Sequence, residues 1–497
     1  MENYTYVLLS LAFIIVNLIT LSNLRPWIDE VMMLDTSYNA AFHGAWGTTA
    51  WYRVTGQYPF STYPPLYQML AAGWMWLFGS SLTVMRSMNL MITFALGGAC
   101  LRLMRLQGLH PATWATALFT VLLWGSSEMA WMYRNGRPDM LCALLSVVTI
   151  QTFCNYLSAK FSSTKTSVII ASALLLCSGI QAATYMLALW LFFFIVTKRR
   201  REALRLLLLL LAGCMVGLLL VSLFMLVHGR LLAFASSIIQ YSTTLSGIVM
   251  AMLPLAGKAF DIDVTPYTMK LFELSPTSSL SERLSSIIEY RSFLILSATA
   301  LAAYMAYFKE SRQKVLSDNG FLLLLVALYV PVAMNLAGRF ATYYRWMAYL
   351  PLVMAIMRVA IRSRIWCAVF CMEAAVLAVF GVNSMLPNEQ WNYDNIRSFV
   401  ERQHFKSSDV VICPFSVFYE IKPVCDTCYF AGIFPKEFID HVDYVIEAHD
   451  GDSFNQRISD YVVELKADTT LVVNIIDHCE HPSLTLYQVT AKHESFY

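Results

Sequence analysis

The chain has 497 residues, of which 58% are hydrophobic and only 14% charged, with a mean hydropathy of +0.55. That is too apolar for a water-soluble globular protein and specifies a polytopic helical membrane protein. The formal net charge of +2 carries no message, because acids and bases are segregated along the chain and cancel only in the sum, and no nucleic-acid partner is expected.

Apolar runs long enough to cross a bilayer predict about eleven transmembrane helices, at residues 4–24, 82–104, 111–124, 140–157, 167–179, 183–196, 204–227, 293–308, 321–337, 346–357 and 365–384. Residues 167–196 are long for one helix and read as two short spans joined near Gln181. With the N-terminus in the cytoplasm, the short inside loops hold about fifteen basic residues and the much longer outside loops about eleven, which is the positive-inside bias. Residues 231–257 are apolar enough for a twelfth span. Their Ser, Thr, Gln and Tyr content reads instead as a helix lying in the interface.

Two outer loops are long. Residues 25–81 predict one or two juxtamembrane helices, the last introduced by Pro64 and Pro65, and residues 228–291 form the other loop. A membrane domain is therefore expected over residues 1–386. Residues 387–497 form a polar extracytoplasmic domain with β-rich runs at 410–413, 444–447, 471–475 and 484–489 and helical patterns at 395–403 and 453–465, a small α/β unit. Its eighteen acids against eight bases read as a solvated acidic surface. Seven of the eleven cysteines lie in apolar spans as small hydrophobes. In the outward domain, Cys413, Cys425, Cys428 and Cys479 are read as disulfides or free thiols, with a zinc site built from Cys425, Cys428, His478, Cys479 and His481 as the alternative.

The residues that carry chemistry sit at the outer ends of spans. Asp29 and Glu30 directly follow the first span, which holds two carboxylates at a membrane surface. Arg134, Asn135, Gly136, Arg137, Pro138 and Asp139 form a tight outward turn before the fourth span, Arg339 leads to Tyr344 and Arg345 before the tenth, and Arg53 and Tyr63 lie in the first loop. No glycine-rich nucleotide cradle occurs, so an activated sugar used on the outer face has to arrive attached to a lipid phosphate. Such a phosphate leaving group needs cations more than a general acid, and the acceptor hydroxyl needs one carboxylate base. Outward arginines supply a rigid fork of donors for phosphate. The sparse acids near Asp29 give no indication of a divalent metal, and no cofactor is implied.

Asp29 and Glu30 after the first span, Gly44 to Trp46, Tyr63 to Tyr67, Trp76 to Gly79 with Arg86, Arg134 to Asp139, and Tyr344 to Pro351 fall in an order that resembles membrane glycosyltransferases of the GT-C type. The resemblance is to family 39, which includes protein O-mannosyltransferases and the lipid A aminoarabinose transferase. It covers the first 160 residues well and the remainder by topology and the soluble tail. It implies transfer of a sugar from a polyprenyl-phosphate donor to a lipid, glycan or protein acceptor at the extracytoplasmic face of a plasma or inner membrane. On that likeness Asp29 is the base or acceptor-positioning carboxylate and Glu30 its neighbour. Arg134, Arg137 and Asp139 belong to the donor head-group site, and Tyr344 and Arg345 flank the phosphate. Met32 or Met33 and Tyr63 stand where the aminoarabinose branch has Arg and Lys, a departure for which Arg53 is the candidate replacement. An in-line displacement with inversion is expected, because adjacent residues such as Asp29 and Glu30 do not point at one carbon together. The other function class is a flippase or transporter of a lipid-linked glycan, for which Glu373, in the middle of the last span, is the one intramembrane acid. An oligosaccharyltransferase is disfavoured, since the outer domain lacks a Trp-Trp-Asp run and has only Trp391.

Overall fold

A computed structural model describes residues 2–48, 63–158, 163–197, 199–240, 291–310, 319–336, 344–383, 385–386, 391–430, 441–449, 453–468 and 470–491. Each of the eleven apolar runs falls on a helix. These are α1 (Glu2–Thr20), α4 (Leu82–Leu106), α5 (Thr113–Gly125), α7 (Asp139–Ser158), α8 (Ser163–Ser178), α9 (Ile180–Val196), α10 (Arg200–Val227), α12 (Arg291–Glu310), α13 (Asn319–Leu336), α14 (Trp346–Ala360) and α15 (Arg364–Asn383). Five are long and apolar enough to cross a membrane by length and composition, and the other six are shorter apolar helices. The break expected near Gln181 falls at Gly179, whose extended backbone separates α8 from α9.

Lipid tails are as apolar as leucine, so these helices associate through close packing rather than through exclusion of water. Gly213 and Gly217 of α10 face α8. A methyl group at either would fall 2.5 Å from the Ile169 carbonyl oxygen or 2.6 Å from that of Ala173. The two backbones therefore approach as only glycine permits.

Between the spans lie α2 (Ile28–Phe42) and α3 (Leu66–Phe78), the juxtamembrane helices expected in the first outer loop, and α6 (Ser127–Tyr133), a short helix before the Arg134–Asp139 turn. Pro65 stands at the N-cap of α3, where a missing amide hydrogen does no harm. Of the 228–291 loop only residues 228–240, with α11 (Leu231–Gln240), and Arg291 are described, so the question of a twelfth span over 231–257 lies largely outside the described residues.

The C-terminal segment folds as a five-stranded sheet in the order β2-β1-β3-β5-β4, built from β1 (Val410–Cys413), β2 (Thr427–Phe430), β3 (Tyr444–Ala448), β4 (Leu471–Cys479) and β5 (Leu484–Ala491). β1 runs parallel to β2 and β3, while β5 is antiparallel to β3 and β4. The helices are α16 (Tyr393–Arg402), α17 (Phe418–Ile421) and α18 (Ser453–Ala467), which packs on β3 and β4. Four strands and both longer helices coincide with the expected patterns; β2 is additional.

All eleven cysteines are free thiols. Cys413 and Cys428 lie on neighbouring strands beside Cys425, and burial pushes the Cys413 and Cys428 thiols well above the usual range. Cys479 and His478 end β4 at the opposite edge of the sheet from β2. The four thiols are therefore not gathered into one cluster, and among the described residues no group of three or more His, Cys, Asp or Glu is placed to hold a metal.

Among the described residues two large apolar cores result, beside a small cluster of Leu176, Cys177, Ala183, Val221, Met225 and Phe234 between α8, α9, α10 and α11. One lies among the transmembrane helices. The other unites Val31, Met33 and Leu34 of α2 and Tyr67 and Met75 of α3 with Trp391, Phe399, Val411 and Phe418 of the C-terminal unit. The sheet domain is thus seated on α2 and α3 through a shared core.

Candidate active site

α1 ends at Thr20, a 3-10 turn at Leu21–Asn23 follows, and the chain re-enters a helix at Ile28, so Asp29 and Glu30 occupy the first turn of α2. Carboxylates are favoured there by the helix dipole and the free amide hydrogens. Successive helical side chains point about 100° apart, and the two acids meet different surroundings.

Glu30 is completely buried. Its Oε1 accepts from Arg86 Nε (2.7 Å), from the Gly136 backbone N–H (3.0 Å) and from the Tyr419 hydroxyl (2.6 Å). Its Oε2 accepts from Arg86 Nη2 (2.8 Å) and reaches back to the Trp27 N–H at 3.4 Å. Arg86, equally buried, completes its fork by donating Nη1 to the carbonyls of Leu21 (2.7 Å) and Leu24 (2.6 Å). This bidentate pair with filled lone pairs is the geometry in which a buried ion pair is tolerated. Gly136 makes it possible: a Cβ there would sit 3.0 Å from Glu30 Cγ and closer still to Leu34.

Asp29 keeps 29% of its side chain exposed and pairs with Arg137 Nη1. Arg137 is buried and bridges two acids, its Nε donating to Asp139 Oδ2 at 2.9 Å. Its guanidinium lies over the Trp27 ring, 5.4 Å from the centroid. Burial works against its charge, yet Asp139, Asp29 and the nearby Tyr63 hold its pKa well above the ordinary arginine value, so it stays a cation. The turn that carries it is pinned by Asn89, whose Nδ2 donates to the carbonyls of Asn135 and Arg137, the latter at 2.9 Å. Asp139 is 1% exposed. Of the three carboxylates in this group, only Asp29 is open to a reactant.

The remaining expected site residues are distributed more widely. Arg134 turns inward and caps α1, donating to Asn17 Oδ1 (3.2 Å), Thr20 Oγ1 (2.9 Å) and the Thr20 carbonyl. A cation at a helix C-terminus is a stabilising arrangement, and it commits donors expected at the head-group site. Tyr63, half-buried, packs at the edge of the outer core within electrostatic range of Arg137. Tyr344 is buried in the transmembrane core, and Arg345, half-buried, occupies the N-cap of α14. Arg53 and Arg339 lie outside the described residues. Glu373 accepts a hydrogen bond from Thr299 of α12.

Arg86 and Tyr419 were not among the expected site residues. For Arg86 a signal existed: an arginine in the second turn of an apolar span requires a buried partner. Tyr419 has no local signal, because its partner is 389 residues away.

No family model matches the chain, and no curated protein matches it. Among solved structures, ArnT from Cupriavidus metallidurans bound to undecaprenyl phosphate aligns over 97% of both chains at 12% identity with a TM-score of 0.49. The oligosaccharyltransferase AglB from Archaeoglobus fulgidus aligns over 88% of this chain and 69% of its own at 11% identity with a TM-score of 0.49. The arabinofuranosyltransferase AftD from Mycobacteria aligns over 99% of this chain at 10% identity with a TM-score of 0.57, and this chain spans 40% of its length. The fold is shared with AftD: a polytopic helical membrane protein with a small C-terminal α/β domain. At these identities the likeness is one of fold, and the AftD superposition carries it.

Proposed function

We propose that the protein is a glycosyltransferase that moves a sugar from a polyprenyl-phosphate donor to an acceptor hydroxyl at the extracytoplasmic surface. The observation that carries this reading is the asymmetry of the acidic pair. One carboxylate, Asp29, is exposed beside a buried cation at the end of a span, while its neighbour is sealed in an ion pair. The GT-C-type fold supports it, as does the name of AftD, an arabinofuranosyltransferase.

In this reading Asp29 accepts the proton of the acceptor hydroxyl as the oxygen attacks the anomeric carbon. The bond to the donor phosphate breaks with its electron pair, and the phosphate leaves toward Arg137, with Arg53, Tyr63, Arg339, Tyr344 and Arg345 as further candidates for the head-group site. Arg137 and Asp139 set the aim of Asp29, and Arg134 supports the end of α1. A single accessible carboxylate suits a one-step displacement with inversion; a retaining route requires a second carboxylate about 5 Å away as nucleophile. The N-terminus is assigned to the cytoplasm and the sheet domain to the outside. The acceptor is a lipid, glycan or protein hydroxyl.

The test is transfer of radiolabel from polyprenyl-phosphate sugars to a membrane extract by the native chain and by Asp29→Asn. Loss of a general base is expected to lower transfer by about 100-fold or more with the protein still folded. Equal transfer by the two proteins would remove Asp29 from the mechanism, and a product that keeps the donor's anomeric configuration would exclude the one-step route.

A further inference from the structure

The C-terminal domain does more than sit on the outer loop. Its short helix α17 and the residue that caps it place two polar side chains against α2: the Tyr419 hydroxyl donates to Glu30 at 2.6 Å, and Lys422 Nζ lies 3.1 Å from Asp35 Oδ1. Asp35 also accepts from Thr48 Oγ1 at 2.7 Å, and Lys422 stands 5.8 Å from the centre of the Tyr38 ring. Glu30, Asp35, Tyr419 and Lys422 are all at most 3% exposed. Glu30 and Asp35 lie five residues apart on α2, so the domain grips that helix at two points more than a turn apart. Two directional contacts at different heights oppose both sliding and rotation of the helix. A greasy interface alone, which tolerates small shifts, does not.

From this juxtaposition we infer that Tyr419 is a positioning residue of the transfer site, through which the soluble domain fixes the first turn of α2 and thereby the direction of the Asp29 carboxylate. The inference rests on the glycosyltransferase reading for its catalytic consequence and on geometry alone for its mechanical one. Tyr419 touches Glu30, not the reactants. Its effect passes along one peptide unit, from a carboxylate fixed on all sides to the neighbouring one that faces Arg137.

Two substitutions at the same interface separate positioning from docking. Tyr419→Phe removes the hydroxyl that meets Glu30 and keeps the ring. Trp391→Phe removes the indole N–H that donates to the Ser22 carbonyl at 3.1 Å, a bond between the same domain and the end of α1 that does not touch Glu30. In the intact chain, Tyr419→Phe is expected to lower kcat by about 10-fold at unchanged donor KM, as loss of orientation does. It should also accelerate hydrogen exchange of the amides at 28–33 by about 5-fold or more. Trp391→Phe leaves a cavity in the shared core and should lower the melting temperature by more than Tyr419→Phe does, yet stay within about twofold on kcat and on exchange at 28–33. Equal effects of the two variants would reduce Tyr419 to a docking contact and overturn the inference, as would unaltered kcat and exchange in Tyr419→Phe. Absence of transfer by the native chain with any donor would sink the transferase reading, and the exchange measurement would still decide whether Tyr419 holds α2.

Discussion

The two cores of this molecule are held together by different forces. In the transmembrane core, α8 and α10 meet backbone to backbone over Gly213 and Gly217. In the core outside the spans, α2, α3 and the sheet domain bury a mixed set that includes Met33, Leu34, Phe418 and Val411 around two ion pairs, Arg86 with Glu30 and Lys422 with Asp35. Water drives the second assembly and cannot drive the first. Charge is therefore used where burial comes with a solvent reference, and shape where it does not. The candidate site lies on the seam: Arg86 is rooted in a transmembrane helix, Glu30 in the outer one.

The largest effect is expected where that seam is cut. Arg86→Met leaves Glu30 buried with the Tyr419 hydroxyl and backbone N–H groups but no counter-charge, a change that costs about 3–5 kcal/mol in buried pairs. Unfolding in detergent should show the outer region losing stability first, and adding Glu30→Gln should recover part of the loss, because the stranded charge is then gone. A single variant as stable as the native chain would mean that Glu30 is not the buried charge this geometry makes it.

A smaller effect tests the other side of the comparison. Gly217→Ala puts a methyl group 2.6 Å from the Ala173 carbonyl oxygen, so α8 and α10 have to separate. Overpacking of this kind costs about 1–3 kcal/mol. The loss should appear as a lower melting temperature with the Arg86 site intact, reported by unchanged hydrogen exchange at 28–33. Were exchange in α2 to rise with it, the two cores would be one cooperative unit.

How much of this was legible in the chain follows the same division. The transmembrane helices are announced by length and apolarity, and each predicted run lies on a helix, with the α8–α9 break displaced only from Gln181 to Gly179. The β-rich runs at 444–447 and 484–489 mark β3 and β5. β2 escaped because four residues interrupted by Cys428 read as ligand spacing rather than as a strand. The acidic pair and the Arg137–Asp139 turn are visible as outward polar groups beside spans. Their division of labour is not: adjacent carboxylates look alike in sequence, and what separates Glu30 from Asp29 is Arg86, 56 residues on, together with Tyr419, 389 residues on. Arg134 shows the reverse case, an outward arginine whose donors close the end of α1.

The smallest effect belongs to an ion pair outside both cores. Arg402 Nη2 lies 2.9 Å from Asp477 Oδ2 on the surface of the sheet domain. Burial alone would raise the Asp477 pKa, but hydrogen bonds from Arg402, the His478 backbone and Gln403 outweigh it and hold the carboxyl below its usual range. A carboxylate depressed in the folded state lends stability that is present above its unfolded pKa of about 3.9 and is lost as the pH falls through the folded value. The pair is solvent-exposed, so that stability is below about 1 kcal/mol and weakens with salt. Arg402→Ala should therefore lower the stability of the domain slightly at pH 7, with the difference from the native chain shrinking below about pH 4. A loss as large as that of Arg86→Met would show that exposed charge does here what elsewhere in this molecule only buried charge does, and would erase the distinction between the surface and the outer core.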